Sequence, residues 1–402
     1  MLAVADARAR IVAALPQMPA ETVDLRHAAG RVLAEDTAAR RTQPPFDASA
    51  MDGWACRQAD LGSLPARLKP VGAAAAGSRH DGMIGPGECI RIFTGAPLPA
   101  GADAIVIQED ADLQPDGLLS VREAPRPGQW IRRAGLDFSE GQNLLPAGRR
   151  LAPEDVALAA AMNVPWLPVR RRPRIAVLAT GDELVRPGDP VGPNQIVSSN
   201  NIGLAALIEA HGGEAVDLGI ARDTEADLRA KSAGAAGCDL LLTLGGASVG
   251  EHDLIHAVLG KGGAGIDFWR IAMRPGKPLM FGHADVAGNS LPLLGLPGNP
   301  VSAFVCGHNF LVPALRAMLG LDWTVHFETA VAAVDLPAND RREDYLRASL
   351  QTDETGHLLA RPFSRQDSSM LRLLSQADGL IVRPPLAPPL QAGGSVPVLR
   401  LR

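Results

Sequence analysis

The spacing of hydrophobic and polar residues is clearest in the central part of the chain. Between about residues 174 and 319, short apolar runs alternate with stretches of helical spacing. Uninterrupted apolar runs, such as residues 175–179 and Leu240–Leu244, are typical of strands buried on both faces of a parallel sheet. Thr224, followed by Asp227 three residues later, indicates a helix start between two such runs. This alternation predicts a doubly wound three-layer α/β domain.

The flanking regions have different patterns. On the N-terminal side, residues 4–15 and 156–162 have helical spacing, and a second short helix is expected over residues 23–29. Between these helices, short strand-like runs separated by Gly and Pro fill residues 55–135, which predicts a β-rich domain inserted into a helical one. After Trp323, several strand-like runs and one short helix predict a small β domain at the C-terminus.

Composition and charge narrow the range of functions. The 402 residues are 46% hydrophobic and 21% charged, which is enough apolar material for several cores. The net charge of −5 gives no support for a nucleic-acid partner. The four cysteines lie far apart and form no C-x-x-C pair, so neither a zinc site nor a disulfide framework is indicated, and a reducing cytoplasm is expected. Charged residues precede the first apolar run, so no signal peptide is expected, and no run approaches the roughly 20 apolar residues of a membrane span.

The glycine-rich loop after Leu240–Leu244 is the first candidate binding site. Gly245 and Gly246 end the strand abruptly, and Ser248 and Gly250 lead toward a helix start. Glycines let a backbone turn sharply and approach a ligand, and ligands bind at the carboxyl ends of strands in open α/β sheets. Backbone N–H groups at such a turn favour a phosphate. The alternative is a tight strand-to-helix turn that binds no ligand.

Two acids and three basic residues suggest the ligand's chemistry. Glu183 and Asp253 each follow a strand and are expected at the same sheet edge, where they suit Mg²⁺. Taken singly, each is better explained as a helix-capping acid, and it is their joint placement at strand ends that favours a site. Arg270, Arg274 and Lys277 cluster within eight residues beside a Pro-Gly turn, which suits a phosphate or another oxyanion. No Walker A, G-x-S-x-G or G-x-G-x-x-G motif is present. The residues alone predict an enzyme that binds a phosphorylated ligand with a divalent cation.

Six short motifs follow one another along nearly the whole chain. They are PFDASAMDG (45–53), RIFTGAPLPAGAD (91–103), TGDEL (180–184), GGASVGEHD (245–253), RPGKP (274–278) and LPGNPVS (296–302). Together they resemble the molybdopterin molybdenumtransferase family, which includes bacterial MoeA and the eukaryotic gephyrin E domain. Any one motif is weak, but six in order are specific.

The resemblance implies the last common step of molybdenum cofactor biosynthesis. Molybdenum from molybdate is inserted into adenylylated molybdopterin, with Mg²⁺-dependent release of AMP. A cytoplasmic homodimer is implied, whose cleft takes residues from both chains. The molybdopterin adenylyltransferase and molybdoenzyme maturation proteins are further candidate partners. The implied division is a helical N-terminal subdomain (1–45 and 140–172), an inserted β-rich subdomain (46–139), an α/β molybdopterin-binding domain (173–325) and a C-terminal β-barrel domain (326–402).

Matching the motifs residue by residue carries over two sets of site residues. The functional polar positions are Asp52, Thr94, Asp137, Glu183, Asp223 and Asp253, of which Glu183 and Asp253 are expected to hold Mg²⁺. The implied substrate-binding residues are Gly245, Gly246, Ser248, Gly250, Arg270, Arg274, Lys277, Pro297, Asn299, Ser302, Arg342, Arg347, Ser368 and Ser369. Arg270 and Arg274 stand where bacterial relatives often carry Lys, and an Arg fork is not equivalent to a Lys point charge.

The resulting hypothesis assigns the glycine loop and Lys277 to the nucleotide and phosphate. Arg347, Ser368 and neighbouring basic groups are expected to hold the molybdate dianion by charge-assisted hydrogen bonds. Mg²⁺ would neutralise charge as the phosphoanhydride breaks, and the pterin dithiolene would supply the sulfur ligands in place of protein cysteines. Two alternatives stay open: an enzyme that adenylylates molybdopterin with ATP, and a non-enzymatic scaffold. Acceptance of tungstate also stays open.

Overall fold

The structure is a computed structural model that describes residues 1–245, 258 and 265–402. Two units are distinguished by their internal contacts. Unit 1 comprises Met1–Glu21, Gly30–Ala34 and Val169–Arg402, and unit 2 comprises Thr22–Ala29 and Glu35–Pro168. The chain therefore begins in unit 1, enters unit 2 twice and returns to unit 1 each time. The finer division into four subdomains remains a prediction.

Short strands dominate the first half of the chain. They are β1 (Ala20–Asp24), β2 (Thr37–Ala38), β3 (Ala48–Ser49), β4 (Gly53–Cys56), β5 (Ala66–Ala74), β6 (Glu88–Ile92), β7 (Ala104–Ile107), β8 (Ala111–Leu113), β9 (Leu119–Val121), β10 (Ile131–Arg132), β11 (Asn143–Leu145) and β12 (Trp166–Arg170). In unit 2, six of these form one sheet in the order β7-β4-β6-β5-β9-β8. Neighbouring residues Ile105 and Val106 belong to two different buried clusters, because successive side chains of a strand point to opposite faces. The predicted β-rich region is confirmed.

The helices agree with the sequence pattern in all but one case. In the described residues they are α1 (Val4–Ala14), α2 (Pro153–Ala161), α3 (Asn200–Ala210), α4 (Glu225–Ser232), α5 (Pro300–Met318) and α6 (Leu371–Ser375). Thr224 caps α4 as expected, since its side chain accepts from the Asp227 N–H. The helix predicted over residues 23–29 is wrong. Extended β1 occupies Ala20–Asp24, and the Asp24 carboxylate accepts from the Arg26 N–H, which limits the helical part to a single 3₁₀ turn.

The α/β part of unit 1 contains a mixed sheet. Its strands and their short neighbours are β13 (Arg174–Thr180), β14 (Leu184–Val185), β15 (Ile196–Val197), β16 (Glu214–Ala221), β17 (Leu240–Leu244), β18 (Ile266–Arg270), β19 (Met273–Arg274), β20 (Pro278–Val286) and β21 (Asn289–Leu296). The order in the six-stranded sheet is β16-β13-β17-β21-β20-β18. The first four strands are parallel, and β20 and β18 are antiparallel to their neighbours.

Both faces of this sheet are covered, as the three-layer prediction requires. Ile175 and Val177 of β13 share one buried cluster with residues of α1, α3 and α5. Ala176 and Leu178 belong to a second cluster with Leu228 of α4. The alternation along a single strand explains why β13 and β17 read as unbroken apolar runs.

A closed five-stranded barrel follows. Its strands are β22 (Glu328–Ala332), β23 (Glu343–Thr352), β24 (Leu358–Pro362), β25 (Gly379–Arg383) and β26 (Ser395–Arg400). The barrel closes because β23 pairs with both β24 and β25. Outside the ring, β19 pairs in parallel with β23, so the segment that carries Arg274 is hydrogen-bonded to the barrel.

Helix α5 is the central helix of the unit 1 core. Its 19 residues have a mean hydropathy of 1.2, so by length and composition alone it could cross a membrane, contrary to the expectation from the sequence. However, 78% of this stretch is buried inside the protein, as in the core helix of a globular domain. Its apolar character is therefore explained by packing between α1, α3 and the sheet.

Candidate active site

Two cavities of unit 1 share Pro278 in their walls. The first, termed the cationic cavity, has a volume of about 390 Å³. Its charged and polar lining includes Arg274, Lys277, Ser302, Arg342, Asp344, Arg347, Gln366 and Ser368. The second, termed the strand-end cavity, has a volume of about 650 Å³. Its lining includes Thr180, Glu183, Ser198, Asn200, Asp223, Gly245, Pro297, Asn299 and Ser369. Most of the predicted unit 1 residues thus lie around these two spaces.

The strand-end cavity lies where β13 and β17 finish side by side. Gly245, the residue after β17, has a φ of +94°, and a Cβ there would lie 2.8 Å from the Thr180 carbonyl oxygen. Only glycine therefore fits without a shift of backbone. The Thr180 hydroxyl donates to the Leu244 carbonyl at 3.4 Å, which ties the two strand ends together. Backbone of both loops consequently opens onto one space, as expected for the carboxyl edge of a parallel sheet.

Two carboxylates contribute to this cavity. Glu183 lies in the loop after β13, and its carboxylate occupies the space beside Gly181, where a Cβ would lie 2.6 Å from Glu183 Oε2. Asp223 follows β16, and its N–H donates to Asp182 Oδ1 at 3.2 Å. The sheet edge therefore presents acids from two neighbouring strands, as the sequence predicted for Glu183.

The wall between the cavities is made by two loops. Asn299 precedes α5, and its amide Nδ2 donates to Ser368 Oγ at 3.1 Å. The Val301 N–H donates to the Ser368 carbonyl at 3.0 Å. Ser368 lines the cationic cavity, whereas the adjacent Ser369 lines the strand-end cavity. The Ser-Ser pair of the barrel is thus fixed against the loop that follows β21.

Arg347 is the most buried charged group of the site, with 1% of its surface exposed. Its guanidinium donates to the carbonyls of Met370 at 3.1 Å, Asp367 at 2.9 Å and Arg365 at 3.4 Å. Its Nε donates to Gln366 Oε1 at 3.3 Å. Burial lowers the pKa of Arg347 from its ordinary value. Arg347 therefore holds the loop that carries Ser368 and Ser369, in addition to lining the cationic cavity.

Arg274 is engaged by acids. It forms a two-pronged ion pair with Asp344, and its Nη1 lies 3.2 Å from Asp340 Oδ2. Hydrogen bonding to Asp344 raises the pKa of Arg274. Asp340 also accepts from Arg342 at 2.9 Å. Two of the predicted oxyanion-binding arginines are thus tied to carboxylates, which their positions in the motifs do not indicate.

The other predicted basic residues differ in placement. Lys277 is exposed and lines the cationic cavity. Arg270 is exposed, is absent from the lining of both cavities, and contributes its backbone carbonyl as acceptor for the Leu2 N–H at 3.1 Å. Ser302, near the start of α5, is 5% exposed and lines the cationic cavity. The structure thus groups Lys277 and Ser302 and leaves Arg270 outside the two linings.

Unit 2 carries its own pair of predicted residues. Asp52 Oδ1 accepts from the Thr94 N–H at 2.7 Å and from the Thr94 hydroxyl at 2.8 Å. These hydrogen bonds lower the pKa of Asp52. Asp137 lies after β10, where its N–H donates to the Gln43 carbonyl at 3.0 Å. Asp52 and Thr94 thus form one hydrogen-bonded pair.

The chemistry of the strand-end cavity fits a magnesium ion. Mg²⁺ takes oxygen ligands and is commonly held by one or two carboxylates together with substrate phosphates. Glu183 and Asp223 supply two such carboxylates in one cavity. Within residues 1–245, 258 and 265–402, no group of three or more His, Cys, Asp or Glu side chains is arranged to hold a metal ion. This donor set suits an ion shared with a phosphorylated ligand. Gly246, Ser248, Gly250 and Asp253 lie outside the described residues.

Among the lining residues of the cationic cavity that were not identified from the sequence, two contact its arginines. Asp344 lies between Arg342 and Arg347 at a buried strand position, and a buried acid flanked by arginines is a signal that could have identified it. Gln366 Oε1 accepts a hydrogen bond from the Arg347 N–H, and Gln366 Nε2 donates one to the Arg347 carbonyl, at 3.0 Å each. No feature of the local sequence marks Gln366, because its partner lies 19 residues away.

Comparison with known proteins places these residues in a family. Residues 2–163 match the MoeA N-terminal region (domain I and II), residues 176–317 a probable molybdopterin binding domain, and residues 329–401 the MoeA C-terminal region (domain IV). A molybdopterin molybdenumtransferase of Haemophilus influenzae is 36% identical over 388 residues, which cover 95% of this chain and 94% of the relative. The chain belongs to the molybdopterin molybdenumtransferase family.

Further relatives support the assignment over the whole length. A molybdopterin molybdenumtransferase of Nostoc sp. is 35% identical over 393 residues, covering 96% of this chain and 89% of the relative. The structure of a molybdopterin biosynthesis moea protein from Pyrococcus horikosii covers 100% of this chain and 99% of its own, with 29% identity and a TM-score of 0.85. The family resemblance and the multidomain fold expected for a molybdopterin molybdenumtransferase are confirmed.

Proposed function

We propose that this protein inserts molybdenum from molybdate into adenylylated molybdopterin and releases AMP. The observation that carries the proposal is the pairing of a cationic cavity with a carboxylate-bearing strand-end cavity across a shared wall. A transferase for this reaction needs one place for a small oxyanion and an adjacent place for a phosphoanhydride. The relatives named molybdopterin molybdenumtransferase support the same reaction.

The cationic cavity suits molybdate. Molybdate is a compact dianion whose oxygens accept hydrogen bonds from cations and hydroxyls. Lys277, which the sequence assigned to the nucleotide and phosphate, lines this cavity and not the strand-end cavity, so we assign its ammonium to molybdate. Ser302 and Ser368 offer hydroxyls at the lining of the same cavity of about 390 Å³. Arg347 adds a buried positive charge whose hydrogen bonds go to uncharged carbonyl and amide oxygens. Such a charge, held away from bulk water, attracts an anion more strongly than an exposed one.

The strand-end cavity suits the adenylylated end of the pterin. Gly245 brings backbone close to the ligand, and Glu183 and Asp223 would hold Mg²⁺ together with the phosphoanhydride oxygens. When bound, the ion supplies charge neutralisation as the phosphoanhydride breaks. Asn299 and Ser369 orient the ligand from the wall shared with the cationic cavity. Water cleaves the phosphoanhydride, which releases AMP and leaves the phosphate on the pterin. The two dithiolene sulfurs then bind molybdenum, and one oxide of molybdate leaves as water with the two thiol protons.

We further propose that the protein is a cytoplasmic homodimer, and that Asp52, Thr94 and Asp137 of unit 2 are functional residues. The Asp52–Thr94 hydrogen bonds fix an ionised carboxylate beside a hydroxyl. Gly246, Ser248, Gly250 and Asp253 keep their family roles in this proposal, Asp253 as the second Mg²⁺ ligand predicted from the sequence. These assignments rest on the motif match.

The decisive experiment follows AMP release from purified protein given adenylylated molybdopterin and Mg²⁺, with and without molybdate. We expect molybdate-dependent AMP release, lowered at least tenfold by Glu183→Gln, because loss of one carboxylate weakens the hold on the ion. Glu140→Gln, an exposed acid of unit 2, is the matched control. ATP-dependent formation of the adenylylated pterin instead would assign an adenylyltransferase, and neither activity would favour a scaffold.

A further inference from the structure

The cationic cavity contains an acid, which is unexpected for an oxyanion site. Asp344 lines this cavity, and only 4% of its surface is exposed. Its carboxylate pairs with Arg274 through two guanidinium nitrogens. The backbone register favours this pairing, because Arg274 and Asp344 are partners where β19 runs parallel to β23. This geometry orders the guanidinium before any ligand arrives.

A second acid extends the network. Asp340 contacts Arg274 Nη1 at 3.2 Å and Arg342 Nη2 at 2.9 Å. Asn339 joins them, since its Oδ1 accepts from Arg274 at 3.3 Å and its Nδ2 donates to the Arg342 carbonyl at 2.8 Å. The two arginines are therefore largely neutralised by two carboxylates, whereas Lys277 and Arg347 form no ion pair with any described residue.

The charged residues that line the cavity are four positive side chains and one negative one, so the lining keeps an excess of positive charge that suits a dianion. Without Asp344, Arg274 would keep only its ion pair with the more exposed Asp340, so the wall would be more positive and the cavity would hold a dianion more tightly. Tighter ground-state binding does not speed a transfer, because it stabilises the bound oxyanion as much as the state that follows it, or more. A site that passes its oxyanion to an acceptor must bind it and also give it up.

We infer that Asp344 is a positioning residue that restrains Arg274 and thereby keeps oxyanion binding weak enough for transfer. This inference rests on the proposed function, since it concerns molybdate in the same cavity. The Arg274 side chain links β19 to β23 through Asp344 and is not a direct ligand of the oxyanion. The direct contacts to the oxyanion come from Lys277, Ser302 and Ser368.

The test compares molybdate binding with turnover in Asp344→Asn. Titration calorimetry with sodium molybdate gives the dissociation constant, and AMP release at saturating molybdate gives kcat. We expect the dissociation constant to fall roughly three- to tenfold, as one added charge near a dianion would produce at intermediate dielectric, and kcat to fall by a similar factor. A purely structural role would weaken binding and lower kcat together.

Two further variants separate charge from packing. Asp344→Asn combined with Arg274→Gln restores the original net charge, and its dissociation constant should return to within about twofold of the parent value. Asp340→Asn changes the same charge from a more exposed position, so it should tighten binding by a smaller factor even where Asp344→Asn fails to fold. Glu328→Gln, which breaks the exposed Glu328–Arg400 pair of the same barrel, is the matched control and should change neither value.

The outcomes distinguish this inference from the proposed function. If the parent protein neither binds molybdate nor releases AMP, the proposed function fails. If the parent does both, and the folded Asp344→Asn protein binds molybdate with an unchanged or higher dissociation constant, the role of Asp344 is overturned. Unchanged binding in Asp340→Asn overturns it when Asp344→Asn does not fold.

Discussion

At the scale of single residues, Arg347 shows the limit of a motif. Its place among the family's substrate-binding positions predicts a ligand for molybdate, and it does line the cationic cavity. Its acceptors, however, are carbonyls of residues 365, 367 and 370, which lie 18 to 23 positions further along the chain. A motif records which residue is present but not which backbone groups the fold brings to it.

This placement predicts that Arg347→Lys is not a conservative change. An ammonium cannot reach the three carbonyls with the planar fork of a guanidinium, so buried acceptors lose their donors. We expect the free energy of unfolding to fall by roughly 2–4 kcal/mol and AMP release to fall with it, as measured by urea denaturation and by the transfer assay. Arg361→Lys, at an exposed position of β24, should stay within about 0.5 kcal/mol of the parent. Equal stability of the two variants would contradict this account of Arg347.

At the scale of elements, hydrophobic periodicity correctly predicted the strands that have apolar layers on both faces. Leu240–Leu244 reads as a buried strand and is one, because both of its faces meet apolar layers. Residues 23–29 have a helical composition but form β1 and a short turn, since one local hydrogen bond from Arg26 to Asp24 competes with the helix. Neither the antiparallel direction of β20 nor the wall joining Asn299 to Ser368 has a signature in local spacing, because both depend on distant pairing.

Helix α5 yields a prediction at this scale. Residues Gly307–Leu311 of this helix form a π-helical turn, after which the Val312 N–H donates to the Gly307 carbonyl five residues earlier. Arg8 of α1 contacts this turn: its Nε donates to the Asn309 carbonyl at 2.9 Å and its Nη2 to Asn309 Oδ1 at 3.0 Å. We expect Arg8→Ala to lower the free energy of unfolding by roughly 1–3 kcal/mol, measured by chemical denaturation.

The control for this prediction is the neighbouring Arg10. Its side chain is 52% exposed and lies 3.7 Å from Asp267, a distance at which an exposed ion pair contributes little. Arg10→Ala should therefore change stability by less than about 0.5 kcal/mol. Comparable losses in both variants would show that α1 matters through its charge rather than through the bond to Asn309.

At the scale of the whole molecule, fold class and family were predictable because six motifs and an alternating pattern agree along the chain. The pairing of acids with Arg274 was not predictable, because net charge says nothing about which charges meet. Net charge also does not show which acids are hydrogen-bonded, and Asp322 is one that is. Hydrogen bonds from Thr324 lower the pKa of Asp322 to about 2, below its ordinary value of 3.8.

Carboxyl groups with a lowered pKa make the stability of the folded protein depend on pH in the acid range. A carboxyl whose pKa is lower in the folded state stabilises that state fully above its unfolded pKa, and this contribution is lost as the pH falls through the folded value. We therefore expect the parent protein to lose stability between about pH 4 and pH 2, followed by circular dichroism. The stability of Asp322→Asn should depend less steeply on pH over that window. Asp285→Asn is the control variant. A steeper dependence in Asp322→Asn would contradict the assigned sign.

The hydrogen bonds between Arg8 and Asn309 also affect the order in which the chain can fold during synthesis. The two residues are 301 positions apart, and at a synthesis rate of about 5–20 residues per second, about 15 to 60 seconds separate their appearance on the ribosome. When Asn309 appears, every residue of unit 2 has already been made, whereas Val4, Ala7 and Ile11 have waited for the α5 residues of their buried cluster. The first helix to be synthesised is therefore among the last to dock.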